Sequence, residues 1–215
     1  MAAIDKMYLK DYYVFDEFRL WCLIHNPKLL KHFYYWNMTQ QEWDKWKENI
    51  YNKMNRSTAR NEFRAWENSL EYMYKVLNDN EIPSDAGIAI EYNIPQTSKR
   101  IDFLISGYDA SERGNVVIIE LKQWDKIDSI KGKDALVETY TGNAVRQVVH
   151  PSYQAWSYAM LITDYNQSVQ ERNMMLWPCA YLHNYSPEYK ATLSSEIYKD
   201  WVSVAPFFIR NEVGE

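Results

Sequence analysis

The feature that most constrains this chain is a run of four β-branched apolar residues, Val116-Val-Ile-Ile119, that ends abruptly in Glu120-Leu-Lys122. Such a run, with no polar alternation, suits a strand buried on both faces of a sheet. Two charged residues directly after it are expensive to bury unless they meet something that needs charge. The same conflict recurs upstream, where Asp102 interrupts Ile101-Asp-Phe-Leu-Ile105. Side chains alternate along a strand, so Glu120 and Lys122 must share one face.

The surrounding periodicity supplies the frame. Apolar residues 88 and 90 with flanking Ala89 and Tyr92 predict a first strand closed by Pro95; residues 100–107 predict a second and 116–124 a third, joined as a meander. Before them, Phe63, Trp66, Leu70, Met73 and Leu77 recur at three- and four-residue spacing and predict an amphipathic helix over 57–78. After them, 125–142 is polar and reads as a loop with a short helix near Ala135. His150-Pro151 then opens a helix to about 164, proline being suited to a first helical position. Residues 174–185 read as a further strand, in which Pro178 favours an edge or a bulge. The tail from Pro187 predicts one more helix over 193–201 and a short apolar piece around Phe207.

Residues 8 to about 55 have a helical, aromatic pattern, with Thr39 and Glu42 spaced as a capping box ahead of Trp43 and Trp46. The expected organisation is therefore a helical N-terminal extension over 1–56, an α/β core over 57–185, and a C-terminal helix and tail over 186–215. At 215 residues, 47% of them hydrophobic, the chain can build a sizeable core.

A net charge of −5 argues against a protein that coats nucleic acid through bulk positive charge. The 18 Tyr and 9 Trp could supply stacking platforms, but their helical spacing favours packing roles. Cys22 and Cys179 have no zinc-ligand spacing and read as small apolar residues in a reducing compartment. No apolar run reaches the roughly 20 residues of a spanning helix, and the N-terminus lacks a signal-like pattern. A cytoplasmic location without membrane contact is expected.

Two or three carboxylates meeting from adjacent strands are what a hard divalent cation requires, and an ammonium beside them can steady a phosphate and an attacking oxygen. The Glu-X-Lys spacing alone is weak, since it recurs at Glu188-Tyr-Lys190 in a loop setting. Its place on the third strand, beside a strand-borne aspartate, distinguishes Glu120-Leu-Lys122. The alternative is an ion pair on a solvated strand face.

Lys99-Arg-Ile-Asp-Phe-Leu-Ile-Ser-Gly107, Val116-Val-Ile-Ile-Glu-Leu-Lys-Gln-Trp124 and His150-Pro-Ser-Tyr-Gln-Ala-Trp-Ser-Tyr158 resemble the PD-(D/E)XK, or restriction-endonuclease-like, nuclease superfamily, and within it the RecB-like branch. They look most like the nuclease-like region ahead of P-loop helicase domains in some bacterial proteins. The likeness extends over about 57–185. It implies an αβββαβ core with a mixed sheet flanked by helices, and an Mg²⁺- or Mn²⁺-dependent deoxyribonuclease. The resemblance makes Asp102 and Glu120 metal ligands and Lys122 an assistant to the attack.

Gln154 and Tyr158 match the Gln-x-x-x-Tyr signature of that branch, and four residues apart they share one helix face. A further carboxylate from the preceding helix would be Glu67, with Glu71 second and Glu91 on the first strand third. Gln123 could bond a phosphate or a metal-bound water, or make a structural hydrogen bond. His150 is read as a cap or a support to the site rather than a base. The proline that names the motif is replaced here by Ile101.

The implied substrate is DNA, with RNA as the alternative, in defence against foreign DNA or in repair. No Gly-x-x-x-x-Gly-Lys-Ser/Thr loop occurs, so the chain would act alone, with a separate helicase or ATPase partner, or as part of a longer protein. The N-terminal helices would cover the sheet, bind a partner or form a homodimer. The competing reading is a silent module of the same fold that binds nucleic acid or a protein without cutting.

Overall fold

A computed structural model describes residues 12–14, 69, 72, 73, 75–77, 82, 83, 86–94 and 97–210. In chain order these hold β1 (Tyr12–Val14), β2 (Gly87–Asn93), β3 (Arg100–Tyr108), β4 (Gly114–Lys122), β5 (Asp128–Ser129), β6 (Leu136–Thr141), β7 (Ala144–Val149), α1 (Pro151–Tyr165), α2 (Gln167–Glu171), β8 (Met175–Leu182), α3 (Lys190–Leu193), α4 (Lys199–Val204) and β9 (Phe207–Ile209). Helical backbone is also present at residues 69, 72, 73 and 75–77, within the span expected to be a helix. The chain is thus mixed α/β, with one sheet in the order β1-β2-β3-β4-β8-β9 and a second of β5-β6-β7.

β1 to β4 pair antiparallel in succession, whereas β8 joins β4 in parallel and β9 joins β8 in parallel. A parallel neighbour needs a long crossover, here supplied by the small sheet and α1. β4 is central, which explains why Val116 and Ile118 are fully buried and Ile119 nearly so. On the face carrying Val116 and Ile118, the side chains of Tyr158, Ala159 and Ile162 from α1 join Ala89 and Leu104 in one apolar cluster. The alanines at 155 and 159 are both buried and let α1 approach the sheet closely.

α1 starts where the sequence places it. Pro151 occupies its first turn and the His150 ring accepts the Ser152 N–H at 3.2 Å. A second cluster, including Ile127, Val137, Leu182, Leu193, Tyr198 and Ile209, ties the base of β6 to the carboxyl end of β8 and to the C-terminal segments.

Three expectations are corrected. Residues 125–142 are not a loop with a helix near Ala135: they contribute β5 and β6, and β6 pairs with β7 as an antiparallel hairpin. Its polarity reflects solvent on one side, for Val137 and Thr139 are buried while residues 144–147 are all exposed. Tyr12–Val14, expected to be helical, is a strand on the edge of the main sheet. The helix expected over 193–201 is broken, because Ser194 and the extended Ser195 separate α3 from a short 3₁₀ turn and α4. The short apolar piece expected around Phe207 is a strand, β9, which extends the sheet beside β8.

Pro178 falls where β8 is paired with β4 alone, β9 meeting only residues 180–182, so its missing N–H faces an unextended side. Among the described residues, no helix is long and apolar enough to cross a membrane.

Candidate active site

Asp102, Glu120 and Lys122 come together at the carboxyl end of the parallel β4–β8 pair. Lys122 Nζ donates to Glu120 Oε1 at 2.5 Å, a contact that the shared face of β4 makes available. Asp102 reaches across from β3, where its Oδ2 accepts the Leu121 N–H at 2.8 Å. Glu120 is 2% exposed and its second oxygen, Oε2, is buried without a hydrogen bond.

The charges act on one another. Burial, with the Asp102 carboxylate adding to it, pushes Glu120 up to about 8. Burial also works against the charge on Lys122, but the Glu120 and Asp102 carboxylates outweigh it and hold the ammonium above the ordinary lysine range. The rise at Glu120 keeps its carboxyl largely protonated near neutral pH, so a cation entering here would displace its proton. A buried carboxyl oxygen beside a second carboxylate is satisfied either by a proton shared between the two or by a hard cation. Asp102 and Glu120 are the groups that could hold a cation here. Among the described residues no cluster of three His, Cys, Asp or Glu side chains gathers.

The cluster opens into a cleft of about 360 Å³, lined among others by Asp102, Lys122, Gln123, Trp124, Tyr140 and Thr141. Lys122 Nζ lies 5.2 Å from the centre of the Trp124 ring. No family model, curated protein or solved structure matches the chain. What the site does must therefore be argued from its own chemistry.

The other expected residues divide. Tyr158 lies within electrostatic reach of Glu120, Lys122 and Asp102, and its phenol is raised by burial first and by Glu120 second. Gln154 Nε2 donates to the Tyr158 hydroxyl at 2.9 Å, so Gln154 touches the cluster through Tyr158. Gln123 lines the cleft and its Nε2 donates to Ser69 Oγ at 3.1 Å, the structural bond that was one of its two readings. Ser69 also bonds His183 Nε2 at 3.1 Å. Glu91 lines the same cleft, with its carboxylate 2.7 Å from Arg100 Nη1. Glu67 and Glu71 lie outside the described residues.

His150 is fully buried and serves as a cap: Nδ1 accepts from Ser152, and Nε2 faces the Leu193 carbonyl at 3.2 Å. Cys179 is a free, half-buried thiol pushed up to about 12 by burial, which makes it a poor nucleophile.

Sequence reasoning missed Ser69, Trp124, Tyr140 and Thr141 as cleft residues. For Tyr140 and Thr141 a signal existed. Gly142-Asn143 stands between two alternating segments, and both residues have positive φ, 56° and 63°, as a two-residue hairpin turn requires.

Proposed function

We propose that this cleft is the active centre of a metal-dependent nuclease that hydrolyses phosphodiester bonds in DNA. The observation that carries the reading is the meeting of Asp102, Glu120 and Lys122, two of which, Asp102 and Lys122, line one cleft while the Glu120 carboxyl is buried behind them. The order of helix, antiparallel meander, helix and a strand parallel to the third supports reading the core as restriction-endonuclease-like. The motifs around Asp102, Glu120-Leu-Lys122 and Gln154/Tyr158 support placing it near the RecB-like branch.

In this reading Asp102 and Glu120 would hold Mg²⁺ or Mn²⁺. Such an ion, when bound, neutralises charge on the phosphoryl oxygens and makes water more acidic. The chain's own residues do the rest. Leu121 N–H fixes one Asp102 oxygen and leaves the other to turn toward the cleft. Lys122 spends one of its three donors on Glu120 and has others for a phosphate oxygen or the attacking oxygen. Tyr158, neutral and accepting from Gln154, keeps its own proton to donate beside the cluster. The biological setting we favour is cytoplasmic defence against foreign DNA or repair, by resemblance alone.

The test is cleavage of single- and double-stranded DNA, and RNA as a comparison, with Mg²⁺, Mn²⁺ or EDTA. Wild type should cut only with metal, and Asp102→Ala and Lys122→Ala should each lose about 100-fold or more in rate. Cleavage that survives EDTA, or ignores both substitutions, overturns the reading. Firm DNA binding with no cleavage under any metal would favour the silent module instead.

A further inference from the structure

The β6–β7 hairpin has a fixed base and a free tip. At the base Val137 is fully buried, Thr139 Oγ1 donates to the Lys126 carbonyl at 2.7 Å, and the Tyr198 hydroxyl donates to the Leu136 carbonyl at 2.9 Å. At the tip, the positive φ values of Gly142 and Asn143 set a tight turn whose twist matches the strands and stiffens the projection. Beside this turn stands Tyr140, paired across the hairpin with Val145 and 61% exposed. Arg146, on the neighbouring pair with Thr139, places its guanidinium 3.4 Å from the Gly142 carbonyl.

A singly exposed tyrosine is ordinary on a protein surface. Tyr140 differs in its address. It lines the cleft that holds Lys122 and Trp124, and it does so from beside the tip of a hairpin whose base is anchored. Thr139 faces inward, so alternation along β6 turns the Tyr140 ring outward. The geometry presents a flat apolar surface at the rim of the cleft that Asp102 and Lys122 line.

We propose that Tyr140 is a base-stacking platform and that the cleft therefore takes single-stranded DNA; this rests on the nuclease reading of the same cleft. Bases in a duplex already have both faces covered by their neighbours, so a ring projecting from a hairpin can stack only on an unpaired base. A strand whose phosphate lies at Asp102, Glu120 and Lys122 has a base to offer toward the rim, and Tyr140 is the aromatic group exposed there.

The experiment measures binding by fluorescence anisotropy in EDTA, where cleavage is off, using an end-labelled single-stranded oligonucleotide and a blunt duplex of the same sequence. Tyr140→Ala should weaken binding of the single strand by about 5- to 100-fold, the span that stacking on one ring covers. It should leave duplex binding unchanged. Tyr140→Phe keeps the ring and should stay within about two-fold of wild type. Because the side chain is exposed, both variants should fold, as circular dichroism can verify.

Equal single-strand affinity in wild type and Tyr140→Ala overturns the platform, as does an equal loss on single strand and duplex, or wild type that binds neither. Cleavage is scored separately with Asp102→Ala. Should cleavage fail while the Tyr140 dependence of binding holds, the nuclease reading falls and the stacking subsite stands; the reverse pattern removes the subsite and leaves the nuclease.

Discussion

Lys122 is the counter-charge that makes Glu120 tolerable in its place. Glu120 is 2% exposed, beside Asp102, and removing its partner strands a buried carboxylate. Breaking such a pair from one side costs about 3–5 kcal/mol, although a group able to take up a proton can escape part of it. We predict that Lys122→Met destabilises the metal-free protein by about 3 kcal/mol, and that adding Glu120→Gln restores much of the loss. Urea unfolding of the two single variants and the double variant at pH 8 would measure this; a double variant as unstable as Lys122→Met alone would refute it. The same physics made the grouping legible in the sequence. Charges at 102, 120 and 122 sat inside otherwise apolar strands, and a period of two put the latter pair on one face. What the sequence left open was each partner: that Gln123 spends its amide on Ser69 joins segments 54 residues apart, and that Arg100 occupies Glu91 depends on the register of the β2–β3 pair.

At the scale of the element, α1 was legible because its signals are local: a proline in the first turn, a capping residue, and alanines and large apolar residues spaced to face a sheet. The β6–β7 hairpin was not, since its outer face is solvated and its strand alternation is carried by Thr and Glu as much as by Val. The helix over 193–201 failed for a related reason: apolar spacing persisted across Ser194 and Ser195, whose backbone breaks the helix. The start of α1 yields a pH prediction. His150 is buried neutral, held down to about 4 by burial against an opposing pull from the Leu193 carbonyl. Its ordinary value is about 6.5, so between pH 6.5 and 4 the unfolded chain binds a proton that the folded chain refuses. The histidine's contribution is therefore fully present above about pH 6.5 and is lost as pH falls toward 4, by at most about 3 kcal/mol. His183, likewise near 4, adds a slope of the same sign. His150→Asn keeps a capping acceptor without a titrating ring, and it should flatten the fall in stability between pH 6.5 and 4. Identical pH slopes for wild type and variant in urea unfolding would remove this account.

The whole molecule places the candidate site on its least yielding part. Asp102 belongs to β3 and Glu120 to β4, the two central strands that lie between the β1–β2 pair and the parallel β8–β9 pair. Those strands contribute Leu104, Val116 and Ile118 to the cluster under α1, so the carboxylates cannot separate without opening the core. An ion held between them is thus coupled to global unfolding rather than to the motion of a loop. Mass action then sets the size of the effect. A ligand that binds only the folded state at a concentration 100 times its Kd stabilises by about 2.7 kcal/mol, which for a chain of this length is a rise in Tm of roughly 5–10 °C. We predict such a rise with Mn²⁺ or Mg²⁺ for wild type, its reversal by EDTA, and its loss in both Asp102→Asn and Glu120→Gln. Differential scanning calorimetry reads all of this without any substrate. The prediction separates the site from adventitious surface binding, because ions on exposed carboxylates would raise Tm equally in the variants. A wild-type Tm indifferent to saturating Mn²⁺ would mean that Lys122 is all the positive charge these two carboxylates ever receive.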